Sequence, residues 1–279
     1  MKFIQSYRKY KELGFFNFIF VGIEYVFSLN RLRLVKSIYL NLRCLPFRQA
    51  LKLPIHIYGK NKIFSLAGKC YINAPIKYGM IRLGAARKEI ALSSVKTYIR
   101  INGNIIFNGC FDLNSGGELN IKSGCLEIGD RVLIGEKVKI LCTNKIIIGT
   151  GCRIAFESQI IDTNFHYVID TETRTIDRCF GEISIGKYCW IASRCTVFKG
   201  TILPNDTIVA SNSVLSKDYS AVIQPYSLIG GIPAKFIKSG IRRVFNHQSQ
   251  VLLVNYFREN IDKEDYILLE DIDMNIFSY

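Results

Sequence analysis

Between Ile185 and Leu215 an apolar residue recurs at every sixth position along the chain. The positions are Ile185, Ile191, Val197, Leu203, Val209 and Leu215. The residue that follows most of them is small or turn-forming. A period of six fits neither an α-helix, which repeats at about 3.6 residues, nor a plain alternating strand. It predicts a parallel β-helix in which short strands alternate with tight corners and three hexapeptides close one triangular coil.

The same period occurs upstream, in the runs Ile128–Ile140 and Ile148–Ile160, which are separated by an eight-residue step. The period is absent between Ile160 and Ile185, where the sequence is mostly polar. This interruption predicts a loop that leaves an otherwise regular scaffold. Loops held by rigid scaffolds often carry binding and catalytic residues.

The remaining chain is less regular. Between Ile55 and Ile121, Val/Ile/Phe/Tyr clusters separated by glycines predict divergent first coils of the same β-helix, with a separate small domain as the alternative. Three regions are therefore predicted: a basic, aromatic helical segment at 1–60, the β-helix domain at 61–239, and a C-terminal helix with an acidic tail at 240–279.

Charge is distributed unevenly along the chain. The net charge is +14, and residues 1–60 carry eleven Lys or Arg against two acidic residues, whereas residues 244–279 carry two basic and seven acidic residues. A basic front end favours an anionic partner such as phospholipid or a polyanionic glycan. Nucleic acid is the least favoured partner, because no nucleic-acid-binding motif accompanies the charge.

The run Phe15–Leu29 is strongly apolar and aromatic, with basic residues on both sides. It is shorter than the roughly 20 residues that a spanning helix needs, and no signal-peptide cleavage motif follows it. Two interpretations remain: a helix in the membrane interface, or a segment that packs on the β-helix or on a neighbouring subunit. The first predicts peripheral membrane contact through residues 1–36 in a cytoplasmic protein.

Nine cysteines are present, without a C-x-x-C pair. This argues against structural zinc and redox chemistry, and Cys189 and Cys195 are predicted to be small core residues. A reduced, cytoplasmic protein is expected. No phosphate-binding or dinucleotide-binding glycine motif occurs, and no metal is expected because no metal-ligand spacing is found.

Four features of the sequence together resemble a known family. They are the hexapeptides, the interrupting loop, the stretch Tyr188–Ser193 and the segment Gly230–Lys235. The chain is similar to the left-handed β-helix acetyltransferases, in particular to the maltose, galactoside, nodulation-factor and surface-polysaccharide O-acetyltransferases. The resemblance extends from about Ile128 to Lys238. It implies an all-β, left-handed parallel β-helix of hexapeptide repeats, with acetyl-CoA as acyl donor, and a homotrimer whose active sites lie between subunits.

Only one of the three histidines, His166, lies in the interrupting loop. An imidazole can accept a hydroxyl proton and return a proton to a departing thiolate, so His166 is the predicted general base. The alternative is an ordinary exposed loop histidine. Asp162, Asp170, Glu172 or a backbone carbonyl could orient the imidazole. Asp162 and Asn164 are predicted to bind or orient the acceptor, with a turn-forming role as the alternative.

The resemblance also implies contacts with acetyl-CoA. The residues concerned are Ala192, Ser193, Ser211, Lys217, Lys235 and Lys238. The serines would line the pantetheine groove, and the lysines would lie near the nucleotide and its phosphates. Two positions depart from the family, because Ala192 and Asn212 stand where glycine is usual. The added methyl of Ala192 is expected to narrow the groove.

The sequence thus predicts an acetyl-CoA-dependent O-acetyltransferase that acts on a carbohydrate acceptor, a sugar hydroxyl, in bacterial surface polysaccharide biosynthesis. Two alternatives remain open. One is an N-acetyltransferase that acts on an amino sugar. The other is a non-catalytic β-helix scaffold at the membrane.

Overall fold

The computed structural model describes residues 31–86 and 95–268. Three parallel sheets form the three sides of a triangular prism. The first side contains β1 (Ile55–Ile57), β4 (Ile81–Ala85), β7 (Phe111–Asn114), β10 (Val132–Ile134), β13 (Arg153–Ile154), β18 (Trp190–Ile191), β21 (Ile208–Val209), β23 (Leu228–Gly231) and the antiparallel β24 (Ala234–Lys238).

The second side contains β2 (Asn61–Ser65), β5 (Thr97–Ile101), β8 (Glu118–Ile121), β11 (Lys139–Cys142), β14 (Gln159–Ile161), β19 (Thr196–Phe198) and β22 (Val214–Leu215). The third side contains β3 (Lys69–Ile72), β6 (Asn104–Phe107), β9 (Cys125–Ile128), β12 (Lys145–Ile148), β17 (Ile183–Ile185) and β20 (Ile202–Leu203). The other elements among the described residues are the hairpin of β15 (Ile169–Asp170) and β16 (Thr175–Ile176) and three helices, α1 (Leu34–Cys44), α2 (Phe47–Ala50) and α3 (His247–Glu259).

The chain passes from the first side to the second at the first corner, from the second to the third at the second corner, and from the third back to the first at the third corner.

The predicted all-β, parallel β-helix fold class is confirmed. In the most regular coils, each residue pairs with the residue eighteen positions later, which is the length of three hexapeptides. Ile191 and Val209 form such a pair. Ile134 pairs with Ile154, twenty positions later, because two extra residues lie at a corner.

The strands between Ile55 and Ile121 belong to the same three sheets as the regular coils. The first strand, β1, begins six residues before the predicted start of the β-helix at 61. Ile55, His56 and Ile57 alternate apolar and polar residues in the sequence, but all three are buried and the strand contacts helix α1, so its burial does not follow the polar pattern.

The periodic residues point into the prism, where they form stacked, fully buried ladders. One ladder consists of Ile134, Ile154, Ile191 and Val209. Branched aliphatic side chains suit this narrow interior because they are stiff and pack on a pleated surface. Cys189 and Cys195 are also buried and unpaired, as predicted, and burial raises the pKa of both thiols.

Corner residues adopt the left-handed backbone conformation. At the first corner Glu157, Arg194 and Asn212 have φ values of 61°, 59° and 58°. Asn212 therefore occupies a position whose φ explains the glycine usual in the family, and asparagine is among the residues that tolerate this conformation best.

Helix α1 closes the N-terminal end of the prism. The side-chain amide of Asn41 donates to the carbonyl of Ile55 at 2.7 Å and accepts from its N–H at 3.1 Å, and the N–H of Ile57 donates to the hydroxyl of Ser37. These bonds occupy groups of β1 that an edge strand otherwise offers to another strand. The helix thereby ends the sheet at β1.

After β24 the chain returns along the outside of the first side. Arg242 forms an ion pair with Asp206, with 3.5 Å between a guanidinium nitrogen and a carboxylate oxygen. Burial raises the pKa of Asp206, and the guanidinium of Arg242 partly offsets this effect. The C-terminal helix predicted within 240–279 is observed as α3, on which no side chain is buried.

Two sequence predictions lie outside the described residues, namely the interfacial segment at 15–29 and the acidic tail beyond 268. Among the residues that the structure does describe, no helix combines the length and apolar character needed to cross a bilayer.

Candidate active site

The loop at 162–182 leaves the prism at the second corner and is fastened at its base. The N–H of Asn164 donates to the carbonyl of Cys179 at 2.7 Å, and the N–H of Gly181 donates to the carbonyl of Asp162 at 3.0 Å. An ion pair of 3.2 Å joins Glu182 to Lys145 on the neighbouring coil. The loop therefore begins and ends on a rigid base.

The contacts of Asp162 favour the turn-forming alternative over the predicted binding or orienting of the acceptor. Its side chain is fully buried, and its carboxylate accepts from the N–H of Thr143 at 2.8 and 3.0 Å and from the N–H of Asn144 at 2.7 Å. Burial raises the pKa of Cys142, and the nearby Asp162 carboxylate raises it further. Asp162 thus braces the corner of the preceding coil, and the thiol of Cys142 stays protonated.

Replacing Asp162 by alanine leaves the partly buried N–H groups of Thr143 and Asn144 without their acceptor. We expect the free energy of unfolding to fall by about 2–3 kcal/mol, measured by urea denaturation. The matched control is Asp170→Ala, which removes an exposed carboxylate that accepts from the N–H groups of Glu172 and Thr173 in the β15–β16 turn. It is expected to change stability by less than about 1 kcal/mol. Equal losses in the two variants would contradict the bracing role.

His166 lies four residues beyond this brace and is exposed. It follows Phe165, whose φ of 63° turns the chain outward and whose ring lies 5.7 Å from the Nζ of Lys122. Within residues 31–86 and 95–268, no side chain forms a hydrogen bond with the imidazole. The predicted orienting groups Asp162 and Asp170 are both engaged with backbone N–H groups. Asn164 is exposed near His166, and its acceptor role stays a prediction.

Ala192, Ser193 and Ser211 lie together at the first corner. The N–H groups of Ala192 and Arg194 donate to neighbouring coils at 3.0 Å each. In the described part of the chain, however, the N–H groups of Ser193 and Ser211 have no hydrogen-bond partner. Because Ser211 lies eighteen positions after Ser193, the two donors stand one coil apart, about 4.8 Å.

The alanine that departs from the family pattern belongs to a small-residue column at this corner. Ala155, Ala192 and Ala210 occupy equivalent positions on three successive coils, each donating its N–H to the coil that follows. The next coil has Gly230, where an added Cβ would lie 2.8 Å from the Cβ of Ala210. The methyl of Ala192 therefore continues an existing column.

The three lysines predicted to contact acetyl-CoA do not converge within one chain. Lys235 is paired with Gly230 near the first corner, and Lys238 with Leu228 at the far end of β23. Three residues along a strand separate the two lysines by about 10 Å. Lys217 follows β22 at the second corner, with its Nζ 5.4 Å from the ring centroid of Tyr219. Of the three, Lys235 lies nearest the unpaired N–H groups.

A groove on the outer face of the first side adjoins the first corner, and no function was predicted for its residues. Its volume is about 180 Å³. It is lined by Asn114, Leu133, Gly135, Glu136, Arg153, Ile154, Ala155, Phe156, Trp190 and Arg243. The guanidinium of Arg243 lies 5.2 Å from a Trp190 ring centroid, and the buried amide of Asn114 donates to the buried carboxylate of Glu136 at 2.9 Å.

The predicted site residues therefore form two groups. The first corner contains Ala192, Ser193, Ser211 and nearby Lys235, beside the groove. The second corner contains the loop with His166. The second side separates the two groups. From Ser193 to Lys199 the chain runs six residues, which corresponds to about 20 Å when extended.

No family model matches the chain. The chain is 29% identical to a putative lipopolysaccharide biosynthesis O-acetyl transferase, WbbJ of Escherichia coli K12, over 55% of this chain and 79% of that protein. It is 32% identical to a probable macrolide acetyltransferase of Lysinibacillus sphaericus, over 40% of this chain and 61% of that protein.

Among solved structures, the chain is similar to the polySia specific acetyltransferase NeuO. The identity is 15% and the TM-score is 0.48, and the match covers 78% of this chain and 91% of that chain.

Proposed function

We propose that this chain, an acyltransferase of the hexapeptide-repeat β-helix class, transfers the acetyl group of acetyl-CoA to a carbohydrate hydroxyl during bacterial surface polysaccharide biosynthesis. The observation that carries the proposal is the first corner, where two unpaired N–H groups stand beside a groove that contains Trp190. The similarity to the putative O-acetyl transferase of Escherichia coli supports transfer to a hydroxyl group.

The acyl donor fits this corner. The pantetheine arm of acetyl-CoA contains two amide carbonyls, which can accept from the N–H groups of Ser193 and Ser211. The side chain of the partly exposed Ala192 is small, so an extended chain can lie along the corner. Lys235 is exposed near the same corner and supplies a cation for a phosphate of the nucleotide end.

The groove is suited to a sugar. An aromatic ring such as that of Trp190 can pack against the apolar face of a sugar ring, and a few placed polar groups fix its orientation. Glu136 provides a carboxylate that can accept from hydroxyl groups, and Arg153 and Arg243 favour an acidic substituent on the acceptor.

A second copy of the chain completes the site. His166 belongs to the second corner, whereas the donor and acceptor features belong to the first. We therefore place each active site between two subunits of a homotrimer, with the loop of one subunit facing the first corner of its neighbour. This arrangement also provides neighbours for the imidazole, which has no hydrogen bond within its own described chain.

The reaction is a direct transfer. The imidazole of His166 accepts the proton of the sugar hydroxyl while the oxygen attacks the acetyl carbonyl carbon. The tetrahedral intermediate then collapses, and the C–S bond breaks as the ester forms. The imidazolium returns its proton to the departing CoA thiolate.

Purified protein with acetyl-CoA and matched hydroxyl and amino sugars, neutral and acidic, tests this proposal. We expect CoA thiol release with a hydroxyl acceptor, and a product whose added acetyl is removed by mild alkali. An alkali-stable product would instead indicate N-acetylation of an amino sugar. No thiol release with any acceptor, together with unchanged surface glycan mass spectra in cells lacking the gene, would favour the non-catalytic scaffold.

A further inference from the structure

Helix α1 has two different faces. Ser37, Leu40, Asn41 and Cys44 are fully buried at the end of the prism. The remaining apolar side chains of the helix are exposed, and they are Leu34, Val35, Ile38, Tyr39 and Leu42. At about 100° per residue these five occupy a continuous arc of about 140°. The exposed fraction reaches 80% at Val35.

Helix α2 contacts α1 and adds exposed apolar residues to this end of the chain. Phe47 and Leu51 are 68% and 64% exposed, directly after the turn at Pro46. We call the surface formed by the exposed side chains between Leu34 and Lys52 the end face. Such a cluster of large exposed apolar residues is typical of an interaction site, in contrast to single apolar residues scattered over a surface.

The charge of the end face is entirely positive. Residues 34–52 contain four basic residues and no acidic residue. On α1, Lys36 and Arg43 lie next to the apolar arc, and Arg48 and Lys52 lie on and after α2. Apolar and aromatic side chains bordered by Lys and Arg are the pattern of surfaces that bind anionic lipid headgroups and insert apolar groups among the acyl chains.

We propose that the end face docks on an anionic phospholipid bilayer, with the prism projecting from the membrane. A second copy of this chain fits the end face less well, because four positive charges would meet four others. End-to-end continuation of the sheet is also blocked, since Asn41 and Ser37 occupy hydrogen-bonding groups of β1. The inference does not depend on the proposed enzymatic function. It adds the end face to the predicted membrane contact through residues 1–36, which stays a prediction.

Flotation of the full chain with lipid vesicles tests the proposal. We expect binding to vesicles of phosphatidylcholine with phosphatidylglycerol, little binding to phosphatidylcholine alone, and weakening by salt. The double variant Val35→Glu/Leu42→Glu is expected to bind at least about tenfold more weakly. Arg43→Gln and Arg48→Gln are each expected to weaken binding about fivefold.

The matched control is Leu252→Glu/Val254→Glu on α3, which places two glutamates at exposed apolar positions of another helix. It is expected to float like the unmodified chain, and all variants should keep the same melting temperature. Equal binding to neutral vesicles, or undiminished binding of Val35→Glu/Leu42→Glu, overturns the proposal. So does a change in oligomeric mass in that variant without loss of flotation, which would indicate contact between copies. The proposal is also overturned if the unmodified chain does not float and Val35→Glu/Leu42→Glu has a lower melting temperature than the unmodified chain. That result would indicate that another part of the chain covers the end face.

Discussion

Replacing His166 by glutamine is expected to lower kcat about 10²- to 10⁴-fold, the range that a general base typically contributes. The side chain is exposed and has no hydrogen-bond partner in the described part of the chain, so its loss should leave stability unchanged. Acetyl transfer to an acceptor that the unmodified protein accepts would be measured by thiol release. Urea denaturation of the same sample would establish that the variant is folded.

The matched control is His247→Gln, which changes the other exposed histidine, at the start of α3. Its activity should equal that of the unmodified protein. A His166→Gln variant that retains full kcat would assign His166 to the alternative of an ordinary loop histidine and would remove the base from the proposed mechanism. Loss of activity in both histidine variants would point to a general effect on the protein.

The repeat could be predicted from sequence because each hexapeptide places one branched aliphatic residue into the interior. This rule holds from Ile185 to Leu215, where the coils have the ideal length. It weakens upstream, where corners carry two or more additional residues and the period is lost in the sequence although the sheets continue. The burial of β1 depended on α1, whose contacts with the strand are long-range and leave no periodic signal.

The candidate site was predictable only in part. His166 and the serines at the first corner follow from the interruption and from the resemblance. The role of Asp162 depends on the coil beneath it, whose N–H groups lie nineteen and eighteen positions earlier in the chain. The groove depends on the returning segment that brings Arg243 onto Trp190, more than fifty positions apart in sequence. A motif containing the tryptophan was visible, but its neighbour was not.

Mixing two inactive variants is expected to restore activity if each site lies between subunits. The first variant is His166→Gln, which disables the loop. The second is Ser193→Tyr, which places a ring at the partly exposed first corner, in the path of the pantetheine arm. In a trimer that contains both variants, one of the three interfaces combines an intact loop with an intact corner, so the activity of the mixed assemblies should return to about a third of the unmodified value.

The two variants would be co-expressed with different affinity tags, and assemblies carrying both tags would be isolated and assayed. The control replaces the second chain by the double variant His166→Gln/Ser193→Tyr, which offers no intact loop to any interface and should give no recovery. If loop and corner of one chain served the same site, every site in the mixed assembly would contain one defect. The activity would then remain at the level of the separate variants. That result would contradict the proposal that each active site lies between two subunits.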